Sequence, residues 1–274
     1  MLFRSSVGSA VGPRDGATVE TLMRNADLAL YRSKDEGGGQ HCTYEPALHA
    51  HAEERRQLEF AMRHALERGE FSLVYQPVVD ATSEEVLSFE ALLRWTSADH
   101  GFISPAKFIP LAEETGLIGE IGDWVLGEAI ADIERWRRKY DCTIELSVNI
   151  SPVQFERQGP LPWLERILRS ELPSCITVEI TEGVLVSDAG QVSRCLGALH
   201  EAGARVSIDD FGTGFSSLAY LKHFDVDYLK IDKSFIDQLA DDDGDKALTE
   251  AIVDRKSTRL NSSHVSESRM PSSA

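Results

Sequence analysis

Apolar runs of strand length, each ending in or interrupted by polar residues, recur along most of the chain. They cover residues 71–79, 86–95, 144–150, 176–181, 205–209 and 228–231. Between them the apolar positions shift to helical spacing. Ser104-Pro105 reads as an N-cap with proline in the first turn, ahead of Phe108, Leu111 and Ala112. Asp123 is placed to cap a long helix with Leu126, Ala129, Ile130 and Ile133 on one face, and Val192, Cys195, Leu196 and Leu199 form a further stripe before Gly203. Strands alternating with helices predict an α/β fold with a largely parallel sheet. Only a short polar turn, Asp80-Ala-Thr-Ser83, joins the first two strands.

The two ends differ from this pattern. Residues 6–44 hold a short strand-like opening and a helical stretch through Leu22, Ala26, Ala29 and Leu30, stopped by Gly37-Gly38-Gly39, a piece too small to bury a core alone. Residues 46–68 are charged and helix-prone, with Leu58, Ala61, Met62, Ala65 and Leu66 on one face before Gly69, and read as an entry helix. Residues 257–274 carry seven serines and hardly any apolar periodicity, the composition of a disordered tail.

Forty-five acids against 28 bases give a net charge of −17, which argues against a protein that grips nucleic acid polymers through a basic surface. A small anionic ligand would instead need a metal or local arginine. Cys42, Cys142, Cys175 and Cys195 have neither zinc-site nor disulfide spacing, so a reducing, cytoplasmic setting is expected. No apolar run reaches membrane-spanning length; an anchor further upstream in a longer protein remains compatible with this.

Chemistry concentrates at the downstream halves of the strands. Glu90, Asn149, Glu179, Asp209 with Asp210, and Lys230 each interrupt an otherwise apolar run. Singly, Asp209-Asp210 is equally a turn after a strand, Asn149 a strand-end amide, Lys230 half of a buried ion pair and Glu182 a cap residue. Recurrence on successive strands favours a shared centre, because an unpaired buried carboxylate costs several kcal/mol. In parallel α/β barrels the C-terminal strand ends meet at one face, and an oxygen-rich cluster there suits Mg²⁺ or Mn²⁺.

Tyr75-Gln76-Pro77, Glu90-Ala91-Leu92 with Arg94-Trp95, Ser147-Val-Asn-Ile-Ser151, Glu179-Ile-Thr-Glu182, Asp209-Asp-Phe-Gly-Thr-Gly214 and Leu229-Lys-Ile-Asp232 together resemble an EAL domain, in order, over residues 58–253. The resemblance implies a cyclic di-GMP phosphodiesterase on a (β/α)₈ TIM barrel whose first strand runs antiparallel. It implies that Glu90, Asn149, Glu179 and Asp209 bind one divalent metal, Mg²⁺ or Mn²⁺, and that Asp209 with Asp210 holds a second. Lys230 would act in catalysis beside Asp209 and Asp210, and Gln76 and Arg94 would contact the dinucleotide. Glu182 would brace the Asp-Phe-Gly-Thr-Gly loop, through which a homodimer would form. The product would be linear pGpG; the alternative is a non-catalytic receptor that binds cyclic di-GMP or a protein partner.

Ser6-Val-Gly-Ser-Ala10, Pro13-Arg-Asp-Gly16, Asn25-Ala-Asp27 and Tyr31-Arg-Ser-Lys34 resemble the C-terminal end of a GGDEF, or diguanylate cyclase, domain. The expected organisation is thus a GGDEF remnant over 6–45, a linker over 46–57 and an EAL domain over 58–253. Residues 1–5 and 254–274 resemble translated sequencing adapters. The barrel is accordingly expected to lack strands 7 and 8, and the fragment to have little or no hydrolase activity.

Overall fold

The computed structural model describes residues 5–35, 37–141, 144–156, 159–186, 189–211 and 224–231. The chain divides into two compact units, Met1–Ala65 and Leu66–Ala274.

In the first unit, β1 (Val7–Ser9) and β2 (His41–Thr43) pair in parallel, with Val7 opposite His41, and α1 (Val19–Asp35) connects them. Helix and strand touch at Gly8, where a Cβ would stand 2.1 Å from the Leu30 nitrogen, so only glycine fits. Ala29, Tyr44 and Leu48 make a small core, and the charged 46–68 stretch forms α2 (Ala47–Ala65).

The second unit is built on one sheet. Its order is β3 (Phe71–Val79), β4 (Val86–Ser97), β6 (Leu146–Asn149), β7 (Ile176–Thr181), β8 (Arg205–Phe211) and β9 (Tyr228–Ile231). The first pair is antiparallel and every later pair along this path is parallel. A short strand, β5 (Gly101–Ile103), doubles back on β4, a hairpin that the apolar pattern did not announce.

Register decides which residues share a face. Gln76 lies opposite Glu90, Glu90 opposite Ser147, Ser147 opposite Thr177, Glu179 opposite Ser207, and Ser207 opposite Tyr228. Because side chains alternate along a strand, Val148, Val178, Ile180, Val206 and Ile208 fall on the other face with Trp95. That apolar face carries an aromatic cluster in which Trp95 packs 5.6 Å from Phe108 and 5.7 Å from Phe71. The polar face is buried as well: Ser88, Glu90, Ser147, Thr177, Glu179, Ser207 and Lys230 all lie in the interior. A sheet can bury a polar face without covering it in helices by curling around it, as a barrel does. Residues from six strands line one cavity of about 40 Å³ on that face.

Among the described residues, five α-helices accompany these strands: α3 (Pro105–Thr115), α4 (Ile118–Tyr140), α5 (Pro152–Glu156), α6 (Pro162–Leu168) and α7 (Ala189–Glu201). Pro105 takes the first position of α3 after Ser104, as read from the sequence, although the Ser104 side chain makes no capping bond. Asp123 is not a cap. Gly116 adopts φ 75° to close α3, and α4 starts at Ile118 with Ile121 and Val125 buried, so Asp123 lies inside the helix. Strand β8 runs two residues beyond the expected end at Asp209. The expected absence of strands 7 and 8 concerns residues 232–274, which lie outside the described residues, as do Cys142, residues 212–214 and Asp232.

Candidate active site

The side chains that interrupted separate strands converge. Glu90 comes from β4, Glu179 from β7 and Asp209 from β8, and one carboxylate oxygen of each lies within 4.8 Å of the others. Lys230 from β9 stands among them, its ammonium donating to Glu179 Oε2 at 2.6 Å, Glu90 Oε2 at 3.0 Å and Asp209 Oδ2 at 3.3 Å. Asn149, at the end of β6, donates from Nδ2 to Glu90 Oε1 at 2.9 Å. Five strands therefore each deliver one polar group to the C-terminal end of the sheet. The ion-pair reading of Lys230 holds, and its partners are the candidate ligands.

Burial sets the electrostatics. Desolvation pushes the Glu179 carboxyl up to about 7, against the opposing pull of the Lys230 ammonium. For Lys230, burial works to lower the pKa, but Glu179, Glu90 and Asp209 together outweigh it and hold the amine above its ordinary value. The ammonium stays charged while the cluster retains an excess of carboxylate. Such a set, with an amide oxygen available from Asn149, fits a hard divalent cation.

The remaining predicted residues sit around this centre. Gln76 lies directly across from Glu90 on the same face of the hairpin. Arg94, four residues further along β4, is opposite Ser72 and donates from Nη1 to the Leu93 carbonyl at 2.9 Å. Asp210 does not join the carboxylate trio: it is exposed, its backbone is left-handed at φ 51°, and its N–H donates to Asp209 Oδ1 at 3.0 Å. Glu182 is buried and opens a 3₁₀ turn after β7, while residues 212–214 of the loop it was expected to brace lie outside the described residues.

A second network was missed. Ser151, two residues past Asn149, donates from Oγ to Glu113 Oε1 at 2.6 Å, and its N–H donates to Gln154 Oε1 at 3.1 Å. The signal was present, since Ser151-Pro-Val-Gln154 has the spacing of a capping box.

The EAL domain profile matches residues 60–258. The chain belongs to the EAL domain family. It is 43% identical over 251 residues to the bifunctional diguanylate cyclase/cyclic di-GMP phosphodiesterase MucR of Pseudomonas aeruginosa, covering 91% of this chain and 37% of MucR. It is 36% identical over 250 residues to the cyclic di-GMP phosphodiesterase PdeR of Escherichia coli, covering 90% of this chain and 38% of PdeR. The chain thus spans well under half the length of these relatives. Among solved structures, the PaMucR phosphodiesterase in complex with c-di-GMP matches with a TM-score of 0.66 at 43% identity, covering 72% of this chain and 81% of that one. The fold of the second unit is accordingly the TIM-barrel-like fold of EAL domains, and EAL phosphodiesterases depend on divalent metal.

Proposed function

We propose that the EAL domain of this chain is a metal-dependent cyclic di-GMP phosphodiesterase that forms linear pGpG. The observation that carries this reading is the convergence of Glu90, Glu179 and Asp209 around Lys230. Glu90, Asn149, Glu179 and Asp209 would hold a divalent cation, Mg²⁺ or Mn²⁺, with Asp210 contributing beside Asp209 to a second. When bound, the metal supplies Lewis-acid activation of water and neutralises phosphate charge.

The chain's own residues supply the rest. Gln76, facing Glu90, and Arg94, whose guanidinium matches phosphate oxygens, orient the dinucleotide. Lys230 keeps its proton and steadies the charge that builds on the phosphate while water adds to phosphorus. The P–O3′ bond breaks, the 3′ oxygen takes up a proton, and the ring opens to pGpG. Glu182 supports the loop after β8 from its buried position, and that loop is the proposed contact of a homodimer.

Residues 6–45 are proposed as the C-terminal part of a GGDEF domain. The β1–α1–β2 unit and the 251-residue match to MucR, longer than the EAL segment, support this.

The test is product analysis with cyclic di-GMP and Mn²⁺ or Mg²⁺, comparing the chain with Asp209→Asn. Loss of metal binding in the variant is the expected result; formation of pGpG by the parent, lost in the variant, would establish the hydrolase and overturn the expectation of little or no turnover. Binding of cyclic di-GMP with no product, by this chain and also by a longer protein carrying the rest of the barrel, would make the domain a receptor instead. Unchanged metal binding by folded Asp209→Asn would remove Asp209 from the ligand set.

A further inference from the structure

Asn149 is the one member of the cluster that sits on the exposed end of its strand, and its reach to Glu90 depends on what holds the chain immediately after it. The Ile150 N–H donates to the Glu179 carbonyl at 2.8 Å, which ties the backbone to β7. Beyond that point the chain leaves the sheet at Ser151 and turns into α5.

Ser151 is gripped from both sides. Its Oγ donates to Glu113 Oε1 at 2.6 Å and accepts from the Val153 N–H at 3.3 Å, while its own N–H donates to Gln154 Oε1 at 3.1 Å. A hydroxyl-to-carboxylate bond of this length is charge-assisted, stronger than a neutral capping bond. Glu113 belongs to the last turn of α3, 38 residues earlier, so the contact does more than cap α5 locally. It anchors the segment after Asn149 to a helix packed elsewhere on the domain. Gln154 is fixed in turn: it is 5% exposed and its amide lies over Gly122, where a Cβ would come within 2.5 Å of Nε2.

We propose that Glu113 is a positioning residue for the metal centre, acting through Ser151 to hold the Asn149 amide against Glu90. This rests on the reading of Asn149 as a metal ligand. Groups that orient metal ligands without touching the metal typically change metal affinity by about 10- to 100-fold when removed. Ser151 thereby links Glu113 to Asn149, by a hydrogen bond on one side and two residues of backbone on the other.

The experiment is Mn²⁺ titration of the full chain by calorimetry, with thermal unfolding in chelator recorded for every variant. Glu113→Ala and Ser151→Ala are expected to weaken Mn²⁺ about tenfold or more, and the double variant no further than either single change. Ser151→Thr, which keeps the hydroxyl, and Glu113→Gln, which keeps an acceptor, are expected to retain most of the affinity. If Glu113→Ala does not fold, Ser151→Ala against Ser151→Thr decides the question. Asn149→Ala separates the two levels of the argument. If Asn149→Ala weakens Mn²⁺ while folded Glu113→Ala and Ser151→Ala bind like the parent, the positioning role is overturned and the ligand reading stands. If Asn149→Ala itself binds Mn²⁺ normally, the ligand reading fails.

Discussion

The Lys230 ammonium lies 2.6 Å from Glu179 Oε2, joining two buried side chains separated by 51 residues in sequence and by one intervening strand in the sheet. Glu90 and Asp209 complete the set around the same nitrogen, so three acids share one fixed cation. That imbalance is the electrostatic basis of the proposed cation site.

Replacing Lys230 by methionine keeps the stem and removes the charge. Leaving buried carboxylates without a partner costs roughly 3–5 kcal/mol. Urea unfolding in chelator is expected to show a loss of this order, with excess Mn²⁺ restoring much of the stability and no hydrolysis. A variant as stable as the parent in chelator would show that the ion pairs contribute little.

The raised pKa of Glu179 predicts a pH dependence of defined sign. Its ordinary value is 4.5 and its folded value about 7, so between these limits the folded state binds a proton that the unfolded state releases. The stabilisation is fully present below 4.5 and is lost as pH rises through 7, an effect on the order of 3 kcal/mol. Metal-free protein is expected to lose stability over this window. In Glu179→Gln that component of the slope should vanish, as denaturant midpoints across the range will show.

Asp210 separates backbone strain from ligand chemistry. Its φ of 51° lies in the left-handed region, which asparagine tolerates and β-branched residues do not. Asp210→Asn should unfold at nearly the parent temperature, and any cyclic di-GMP hydrolysis that the parent shows should fall at least about tenfold. Asp210→Val should lose roughly 1–2 kcal/mol of stability in addition. Full activity in Asp210→Asn would remove its carboxylate from the reaction.

The Gln154 amide occupies the space over Gly122. A methyl group there would lie 2.5 Å from Nε2 and 2.8 Å from Oε1, forcing the amide off the Ser151 N–H. Gly122→Ala should cost roughly 1–3 kcal/mol. In Gln154→Ala the same change should cost little, because the obstructing atoms are gone; additive losses in this double-mutant cycle would argue against the clash.

Much of the frame was readable from the chain alone. Strands at residues 71–79, 176–181 and 228–231 were placed to the residue, since strand length and β-branched content are local properties. The ordered motifs identified the family, and the polar interruptions named every member of the cluster. Tertiary structure decided what those residues do to one another. Register and the curl of the sheet bring Lys230 to Glu90 across 140 residues and leave Asp210, next to Asp209, outside the trio. They also bring Glu113 to Ser151, a contact that neither residue's neighbourhood foretells, and the closure of α3 at Gly116 starts α4 at Ile118, so that Asp123 lies inside a helix it was expected to cap. Local periodicity specifies which face a residue occupies on its own element. Distances between elements arise only when their apolar faces pack and the strands take their register, and the chemistry of this site lies in those distances.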